Sequence, residues 1–371
     1  MKNGWQTKRL GDVAAVSAGN SAPQDESLFK NGTVPFFRTA DAGRVRFGDI
    51  YESADYLNEQ GIRGLRRYPK GTILFPKSGA STFLNHRVIL GVEGCVSSHL
   101  ATIVADQTQI EPRFLLYFLS TVAAQDLVQD HAYPSLNLPT IAGISIQAPP
   151  LPEQRRIVGV LDEAFEGIVT AKGNAEKNLQ NARAIFESHL YGVDAEKVPL
   201  GDLVKITTGK LDANAAVEGG QYPFFTCSRE TFAIDNYAFD CEAILLAGNN
   251  AVGDFNVKHY KGKFNAYQRT YVITVNEQKR VLYRFLYFQM LKSLKNFKEQ
   301  SVGAGTKFLK LGMIRDLKIA LPSVTEQERM VSTLDSVREE TERLESLYQR
   351  KLAALEALKK SLLHEAFTGS L

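Results

Sequence analysis

Few side chains of this 371-residue chain lie at spacings that catalytic chemistry requires. The sequence has no G-x-x-x-x-G-K-[ST] loop, so nucleotide hydrolysis is not expected. Its six histidines and three cysteines lack the spacing of metal ligands, so neither a metal nor a cofactor is expected. Pro149-Pro150 lacks the preceding Asn or Asp with which an amino-methyltransferase would hold its target base. These observations predict a chain without catalytic activity of its own.

Polar side chains instead recur in the loops of two regions, and their types suit contact with DNA. Arg, Lys, Asn and Gln read base edges in the major groove, whereas Lys, Arg, Ser and Thr hold phosphates. The candidates in the first region are Arg38, Lys77, Ser78, Asn85, Arg87, His99, Tyr133, Ser135 and Asn137. The candidates in the second region are Ser228, Arg229, Asn249, Asn250, Lys258, Gln268, Arg269, Thr306 and Lys307. Taken singly, each is explained equally well as a solvated loop residue.

These two regions belong to a long internal repeat, which is what makes the candidates persuasive as sets. Short motifs of the first half recur in the same order in the second half. They are Leu10-Gly11-Asp12-Val13 with Leu200-Gly201-Asp202-Leu203, Val34-Pro35-Phe36-Phe37 with Tyr222-Pro223-Phe224-Phe225, Ile73-Leu74-Phe75 with Ile244-Leu245-Leu246, and Arg113-Phe114-Leu115 with Arg284-Phe285-Leu286. Each copy then reaches a proline boundary and a Glu-Gln pair.

Each copy is followed by a stretch with the pattern of a long helix, Leu151–Leu190 and Thr325–Phe367. Apolar or small residues recur there at steps of three and four, which predicts a coiled-coil seam. The first seam is Ile157, Leu161, Ala164, Ile168, Ala171, Ala175, Leu179, Ala182 and Phe186. The second is Leu334, Val337, Thr341, Leu344, Tyr348, Leu352, Leu355, Leu358 and Leu362. Thr325 and Glu328 predict a capping box at the second start.

The fold class expected from this order is α+β, with two similar, mostly-β domains joined by two long antiparallel coiled-coil helices in a pseudo-two-fold repeat. The predicted domains are residues 1–150 and 193–323, and the predicted spacer helices are 151–192 and 324–371. Short apolar runs bounded by Gly, Pro and Asn predict the strands. They are Val34–Phe37, Gly71–Phe75, Val88–Gly91, Leu100–Val104 and Tyr271–Val275. Amphipathic helices are predicted over Glu111–Asp130 and Leu282–Leu294.

Charge is unevenly distributed along the chain, although the net value is only +3. Residues 197–322 carry 18 Lys and Arg against 11 Asp and Glu, a net charge of +7, while both long helices are acidic. A basic domain favours a polyanionic partner. The first residues lack a signal-peptide core, and no apolar run is long enough to span a membrane. Together with cysteines expected to be reduced, this favours a cytoplasmic location.

The residues at the start of the first long helix resemble a known family. Residues 148–158, A-P-P-L-P-E-Q-R-R-I-V, closely resemble the signature that opens the central helix of the specificity subunits of type I restriction-modification systems. Leu10–Asp12, Gly71–Phe75 and Ser78–Ala80 also look like landmarks of that family's target recognition domain. The resemblance covers essentially the whole chain and implies two target recognition domains, each followed by a long helix. The second copy departs from the pattern at Leu246–Asn250.

The resemblance also implies a function and partners. A member of this family reads a bipartite double-stranded DNA sequence, is not itself catalytic, and docks methyltransferase subunits, which bind S-adenosylmethionine, and a restriction subunit with translocase and nuclease activity. Two methyltransferase subunits are expected. The turns that open the two helices are candidates for subunit docking, namely Glu153, Gln154, Arg155, Glu326, Gln327 and Arg329. Capping of the helix starts explains these residues equally well.

Two other functions are compatible with parts of the sequence. The chain could be a coiled-coil scaffold whose two β-rich domains bind proteins, but the basic second domain and the polar loops argue against that. It could also be a self-contained restriction or methylation enzyme, which the missing nucleotide and methyl-donor loops oppose. Salt-dependent DNA binding separates the first alternative from DNA recognition, and activity of the chain alone tests the second.

Overall fold

The computed structural model describes residues 4–190, 195–277 and 280–371, and it divides into two compact units. Unit 1 runs to Gly173 and also includes Leu352–Leu371, and unit 2 is Asn174–Lys351. The predicted boundary between 192 and 193 lies outside the described residues. None of the described helices is both long and apolar enough to cross a bilayer.

Unit 1 is built on a five-stranded sheet of order β2-β10-β7-β8-β4 and a four-stranded sheet of order β5-β3-β9-β6. The strands are β1 (Gln6–Arg9), β2 (Ala14–Ala18), β3 (Val34–Phe37), β4 (Phe47–Ile50), β5 (Tyr56–Leu57), β6 (Arg67–Tyr68), β7 (Ile73–Pro76), β8 (Arg87–Leu90), β9 (Gly94–Val96), β10 (Leu100–Ala105) and β11 (Ser145–Ala148). The helices are α1 (Leu10–Val13), α2 (Thr39–Val45), α3 (Pro112–Thr121) and α4 (Leu138–Ala142), followed by the long α5 (Leu151–Leu190). The apolar faces of the larger sheet and of α3 form one core.

Unit 2 is built on a six-stranded sheet of order β13-β19-β16-β18-β14-β15. Its strands are β12 (Lys197–Pro199), β13 (Val204–Thr208), β14 (Tyr222–Phe225), β15 (Phe232–Ile234), β16 (Phe239–Ala247), β17 (Asn249–Asn250), β18 (Val257–Ala266), β19 (Thr270–Val275), β20 (Lys307–Phe308) and β21 (Lys318–Ala320). Its helices are α6 (Leu200–Leu203), α7 (Tyr283–Gln300) and α8 (Leu311–Arg315), and the last helix of the chain is α9 (Val324–Thr368).

The strand pairing confirms that the two copies share a common core topology, to which unit 1 adds β4 and β6. β10 pairs with β7 so that Ile103 faces Ile73, and β19 pairs with β16 so that Ile273 faces Ile244. The repeated Pro-Phe-Phe strands β3 and β14 each make a short parallel pairing, with β9 and with the end of β18. The repeated Leu-Gly-Asp motifs form the short helices α1 and α6. The repeat read from the sequence therefore corresponds to one domain fold used twice.

Two helix predictions were wrong in length. α3 ends at Thr121 rather than at Asp130, because the backbone of Val122 and Ala123 is extended and side chains from elsewhere in the domain bond this segment. The Val122 carbonyl accepts from Arg87 at 3.3 Å, and the Ala124 N–H donates to the Asn85 side chain at 2.8 Å. α7 continues to Gln300 rather than stopping at Leu294, since the fully buried Phe297 extends its apolar face by another turn.

The two long helices have the predicted seams, with one exception. α5 has the predicted bounds, and all nine of its seam residues are buried or half-buried. In α9 the prediction for Leu358 was wrong, because that side chain is 47% exposed. The half-buried neighbour is Lys359, whose ammonium lies 4.7 Å from the ring centre of Phe47. The predicted capping box was also wrong, since α9 already begins at Val324 and the Ser323 hydroxyl accepts from the Glu326 N–H at 3.3 Å.

Within unit 1 the helices α5 and α9 are antiparallel. Arg156 near the start of α5 donates to the Leu371 carbonyl at 2.9 Å, and Lys172 further along pairs with Glu356 at 2.9 Å. Within unit 2 the same two helices are joined by the pair Arg183 and Glu345 at 2.6 Å. These pairs are half-exposed and contribute little stability individually. The apolar seam is therefore the main stabilising contact between the helices.

Replacing Gly167 by alanine is expected to stabilise the chain by about 1 kcal/mol, since a helix-interior glycine costs that much in backbone entropy. No atom lies within 4 Å of a Cβ placed at this exposed position of α5. Urea denaturation of the purified chain measures the gain. The matched control is Gly64→Ala, where space is equally open but φ is +78°, so alanine should destabilise there. Equal effects of both changes would contradict the prediction.

Candidate nucleic-acid interface and helix attachments

In both units three loop segments are tied together by the same backbone bonds just beyond the central strands. In unit 1 the Lys77 N–H, directly after β7, donates to the His99 carbonyl at 3.0 Å, and the Lys77 carbonyl accepts from the Leu136 N–H at 2.8 Å. In unit 2 the Gly248 N–H, directly after β16, donates to the Arg269 carbonyl at 2.9 Å, and its carbonyl accepts from the Leu309 N–H at 2.9 Å. We call these surfaces edge 1 (residues 77–79, 98–99 and 133–137) and edge 2 (residues 248–250, 268–269 and 306–308).

A glycine holds a fourth segment against each edge. The Gly19 N–H donates to the Leu100 carbonyl at 3.1 Å, and the Gly209 N–H donates to the Thr270 carbonyl at 3.3 Å. A Cβ at Gly19 would lie 2.3 Å from the Ser97 carbonyl oxygen, and a Cβ at Gly209 would lie 1.8 Å from that of Ala266. Only glycine permits so close an approach of two backbones.

Edge 1 brings together six of the nine candidates predicted in the first region. Ser78 forms an antiparallel bridge with Ser135, and the Gly79 N–H donates to the Pro134 carbonyl at 2.8 Å. Tyr133 is 82% exposed. The six candidates are Lys77, Ser78, His99, Tyr133, Ser135 and Asn137, of which the last also caps α4 through its side chain. All six are exposed or half-buried, so their polar groups are accessible at this edge.

Two other candidates of the first region have structural partners away from edge 1. Arg38 forms an ion pair with Asp55, and its guanidinium lies 5.1 Å from the ring centre of Phe36. Asn85 has a left-handed backbone, with φ of 51°, and its side chain accepts from the Ala124 N–H. The contacts of Asn85 account for its residue type, since asparagine tolerates this conformation better than most residues.

Arg87 is removed from the candidate set because its side chain is fully buried. Its guanidinium lies 3.5 Å from the ring centre of Phe75 and donates to the carbonyls of His86 and Val122. Burial lowers the pKa of Arg87 to about 9, which leaves it charged at neutral pH. An arginine without solvent exposure cannot contact a phosphate or a base, so the prediction for this residue was wrong.

Edge 2 brings together six of the nine candidates predicted in the second region. Asn249 and Asn250 pair with Phe308 and Lys307 as the short strands β17 and β20. The guanidinium of the exposed Arg269 lies 5.2 Å from the ring centre of Phe308. The exposed Gln268 precedes it, and Thr306 precedes β20. Stacking on an aromatic ring limits the rotamers of Arg269, which leaves its donors pre-oriented for a planar acceptor.

The other three candidates of the second region form a separate cluster, Ser228, Arg229 and Lys258. Its two charged side chains already bond to groups of the same domain. The Lys258 ammonium donates to the carbonyls of Ser228 and Glu230 at 2.7 and 2.9 Å, and burial lowers its pKa. Arg229 is exposed and makes a two-oxygen ion pair with Asp254 at 2.7 and 2.9 Å. Lys258 therefore mainly holds the loop at residues 228–230 against β18, whereas the Arg229 side chain remains accessible to a ligand.

The predicted docking turns contain two residues that cannot contact a partner. Gln154 and Gln327 are both fully buried, which contradicts their assignment to subunit docking. Glu153 pairs with Arg156, and Glu326 pairs with Arg329, each across one helical turn. Arg155 is exposed and makes no hydrogen bond or ion pair with any described residue.

The sequence interpretation missed four charged residues that attach each domain to its helix, namely Arg113, Asp162, Arg284 and Asp335. A signal for them was present, because Gln154 and Asp162 are separated by eight residues, and so are Gln327 and Asp335. The arginines also open the repeated Arg-Phe-Leu motif. No group of three or more His, Cys, Asp or Glu side chains suited to a metal ion occurs in the described part of the chain.

Comparison with known proteins identifies the family. The profile of the type I restriction modification DNA specificity domain matches residues 2–178 and 192–353, so the chain belongs to this family and contains the domain twice. The specificity subunit of the type I restriction enzyme EcoDI from Escherichia coli is 41% identical over 179 residues, which are 48% of this chain and 39% of that protein. The MjaIX specificity subunit from Methanocaldococcus jannaschii is 29% identical over 192 residues, 50% of this chain and 43% of that protein. The matched stretches thus span less than half of either relative.

The fold is shared with a chain solved in a study of complex assembly and conformational transition of the type I R-M system. That chain superposes with a TM-score of 0.78 at 18% identity, and the match covers 100% of this chain and 99% of that one. At this level of identity the likeness establishes the architecture alone. It agrees with two similar domains and two long helices.

Proposed function

We propose that this chain is the sequence-specificity subunit of a type I restriction-modification complex and that it reads a bipartite duplex, with one half-site on edge 1 and the other on edge 2. The observation that carries the proposal is the recurrence of the same backbone scaffold beneath a polar surface in both copies. A reader of two separated half-sites needs one such surface for each. The net charge of +7 in residues 197–322 favours contact with phosphates.

The residues at the edges have the chemistry that base reading requires. Edge 2 offers Asn249, Gln268 and Arg269, which are side-chain types that make bidentate contacts in the major groove. The side-chain oxygen of Asn250 accepts from the Val252 and Asp254 N–H groups at 2.9 and 3.0 Å, which leaves its amide N–H groups for DNA. Edge 1 offers Ser78, His99, Ser135 and Asn137 with the exposed ring of Tyr133. The two edges therefore have the same backbone arrangement but different side chains. We expect them to read two different half-site sequences.

The proposal includes a division of labour in which this chain recognises DNA and other subunits carry out the chemistry. Two methyltransferase subunits and a restriction subunit would supply methylation, translocation and cleavage. Residues 1–150 and 193–323 would each serve as one target recognition domain, and the two long helices would separate them. Family membership and the lack of catalytic motifs in the sequence support this assignment.

The experiment that tests the proposal begins with co-expression of the chain and its methyltransferase subunit, followed by sequencing of modified bases in the host DNA. A bipartite motif is expected. Affinity of the purified complex is then measured for a duplex with both half-sites, with either one scrambled, and at rising salt. We expect a large loss for each scrambled half-site and a steep fall with salt. Binding that ignores sequence would overturn the proposal, and so would a motif with only one part.

Charge reversal at Arg155 is expected to weaken docking of a methyltransferase subunit, because this exposed arginine makes no ion pair within the described part of the chain. The Arg155→Glu variant should recover less methyltransferase in co-purification while keeping its own fold. Arg350→Glu, on an exposed position of α9, is the matched control for a charge change on a helix. Undiminished recovery with Arg155→Glu would assign this turn to helix capping alone.

A further inference from the structure

The first observation is a glutamine that clamps the start of each long helix to its domain. In unit 1 the buried Gln154 amide donates to the carbonyls of Gln109 and Pro149 at 3.1 and 2.8 Å, and its oxygen accepts from the Glu111 N–H at 2.8 Å. These groups belong to the segment just before α3 and to the segment just before α5. Each of the three hydrogen bonds satisfies a main-chain group.

Gln327 repeats this arrangement in unit 2. Its amide donates to the carbonyls of Arg280 and Pro322, both at 3.0 Å, and its oxygen accepts from the Leu282 N–H at 2.9 Å. Both glutamines are fully buried, so loss of either side chain would leave three backbone groups without these partners. Because the same three kinds of bond occur in both copies, the clamp belongs to the internal repeat.

The second observation is an ion pair two helical turns further along each helix. In unit 1 Arg113 of α3 contacts Asp162 of α5 at 3.2 Å and also Asp49 at 2.7 Å. The Tyr117 hydroxyl donates to the same Asp162 carboxylate, and burial together with that carboxylate raises the pKa of Tyr117. In unit 2 Arg284 of α7 forms an ion pair with Asp335 of α9, and its Nε donates to that carboxylate at 2.9 Å.

Two attachment points constrain a domain more than one does. The clamp and the ion pair are eight residues apart on each helix, which is about 12 Å along the axis at 1.5 Å per residue. A single polar attachment resists rotation about one point only, whereas a clamp before α3 or α7 and an ion pair on that helix resist rotation of the domain about either point. Apolar residues of each long helix, such as Leu161 of α5 and Leu334 of α9, also pack in the core of their domain. The clamp and the ion pair add directional contacts to that packing and so help to set the direction of each edge relative to its own helix.

We infer that Gln154 with Asp162, and Gln327 with Asp335, are positioning residues that hold each recognition domain at one angle on its long helix and thereby restrict the spacing of half-sites that the protein accepts. The inference rests on the proposed function, since it concerns how strictly two half-sites are separated. None of the four residues lies on edge 1 or edge 2. They should therefore influence spacing without changing which bases are read.

The test uses the chain in complex with its methyltransferase subunits and a set of duplexes in which the gap between the half-sites varies by one base pair at a time. Asp335→Asn keeps the shape of the side chain but removes the charge that Arg284 binds. We expect the ratio of affinities between the preferred gap and its neighbours to fall at least about threefold, while affinity for a duplex carrying the second half-site alone is unchanged. Asp162→Asn should behave in the same way with the first half-site.

The control is Glu339→Gln, an exposed carboxylate one turn further along α9, which should leave the gap profile unaltered. If Asp335→Asn loses affinity for the second half-site alone, its domain is disturbed, and Arg284→Lys, which keeps a cation without the planar fork, is measured instead. An unchanged gap profile in a variant that retains half-site affinity would overturn the inference. Absence of any gap preference in the unaltered protein would instead refute the bipartite reading of the proposed function.

Discussion

Replacement of Gly209 by alanine is expected to destabilise unit 2 by about 3 kcal/mol or more, at the upper end of the cost of overpacking. The added methyl would lie 1.8 Å from the Ala266 carbonyl oxygen, far inside van der Waals contact. The backbone must therefore move, and the bond from the Gly209 N–H to Thr270 would be strained or lost. Urea denaturation measures the loss, and hydrogen exchange of the β19 amides assigns it to unit 2.

The control for that substitution is Gly312→Ala in α8 of the same unit. No atom lies within 4 Å of a Cβ at Gly312, so the change should be tolerated. Gly19→Ala should repeat the destabilisation in unit 1, because a Cβ there meets the Ser97 carbonyl oxygen at 2.3 Å. If Gly209→Ala and Gly19→Ala are both as stable as the unaltered protein, the segment beside each edge is free to shift and the prediction is wrong.

The second large effect concerns recognition. Arg269→Ala is expected to reduce discrimination at one base pair of the second half-site by about 1–3 kcal/mol, the usual value of a bidentate contact. Its guanidinium is held over the Phe308 ring, so the unaltered side chain gives up little rotamer freedom on binding. Affinities for a set of duplexes with single substitutions in each half-site measure the effect, and the first half-site should be read as before.

Lys295→Ala provides the matched control for the loss of one positive charge. This exposed lysine lies on α7 and outside edge 2, so its removal should leave base discrimination unchanged. Gln268→Ala, beside Arg269, should weaken binding at the same half-site. If Arg269→Ala alters neither affinity nor discrimination, Arg269 makes no base contact, and base reading by edge 2 would be left to its other candidates.

The sequence predicted the elements whose residues repeat with a fixed period. The bounds of α5 and nearly all of both seams followed from apolar residues at steps of three and four, and the shared topology of the two copies followed from motifs in the same order. These features depend on residues that are close in sequence or on motifs that recur in order. The pattern of residue types alone is therefore enough to predict them. Leu358 was misassigned because Lys359, rather than Leu358, takes the half-buried place beside Phe47, and the apolar pattern gives no sign of that contact.

Burial of polar residues could not be predicted from the sequence. Arg87 and Gln154 belong to residue types that are usually exposed, and their partners, such as the Val122 carbonyl and the Glu111 N–H, are distant in sequence. The fold first has to bring these backbone groups together before a side chain can satisfy them. For the same reason the structure was needed to show which candidates lie together at each edge. The choice of candidates by residue type needed only the sequence.

The scaffold beneath each edge has a consequence for how such a protein acquires a new target. The bonds that join the three segments run from main chain to main chain, through Lys77, His99 and Leu136 in one copy and through Gly248, Arg269 and Leu309 in the other. Side chains such as those of His99 and Arg269 can therefore be exchanged without loss of these bonds. On the proposed function, point substitutions at one edge would change the half-site read there, while the other half-site and the folding of the chain are left intact.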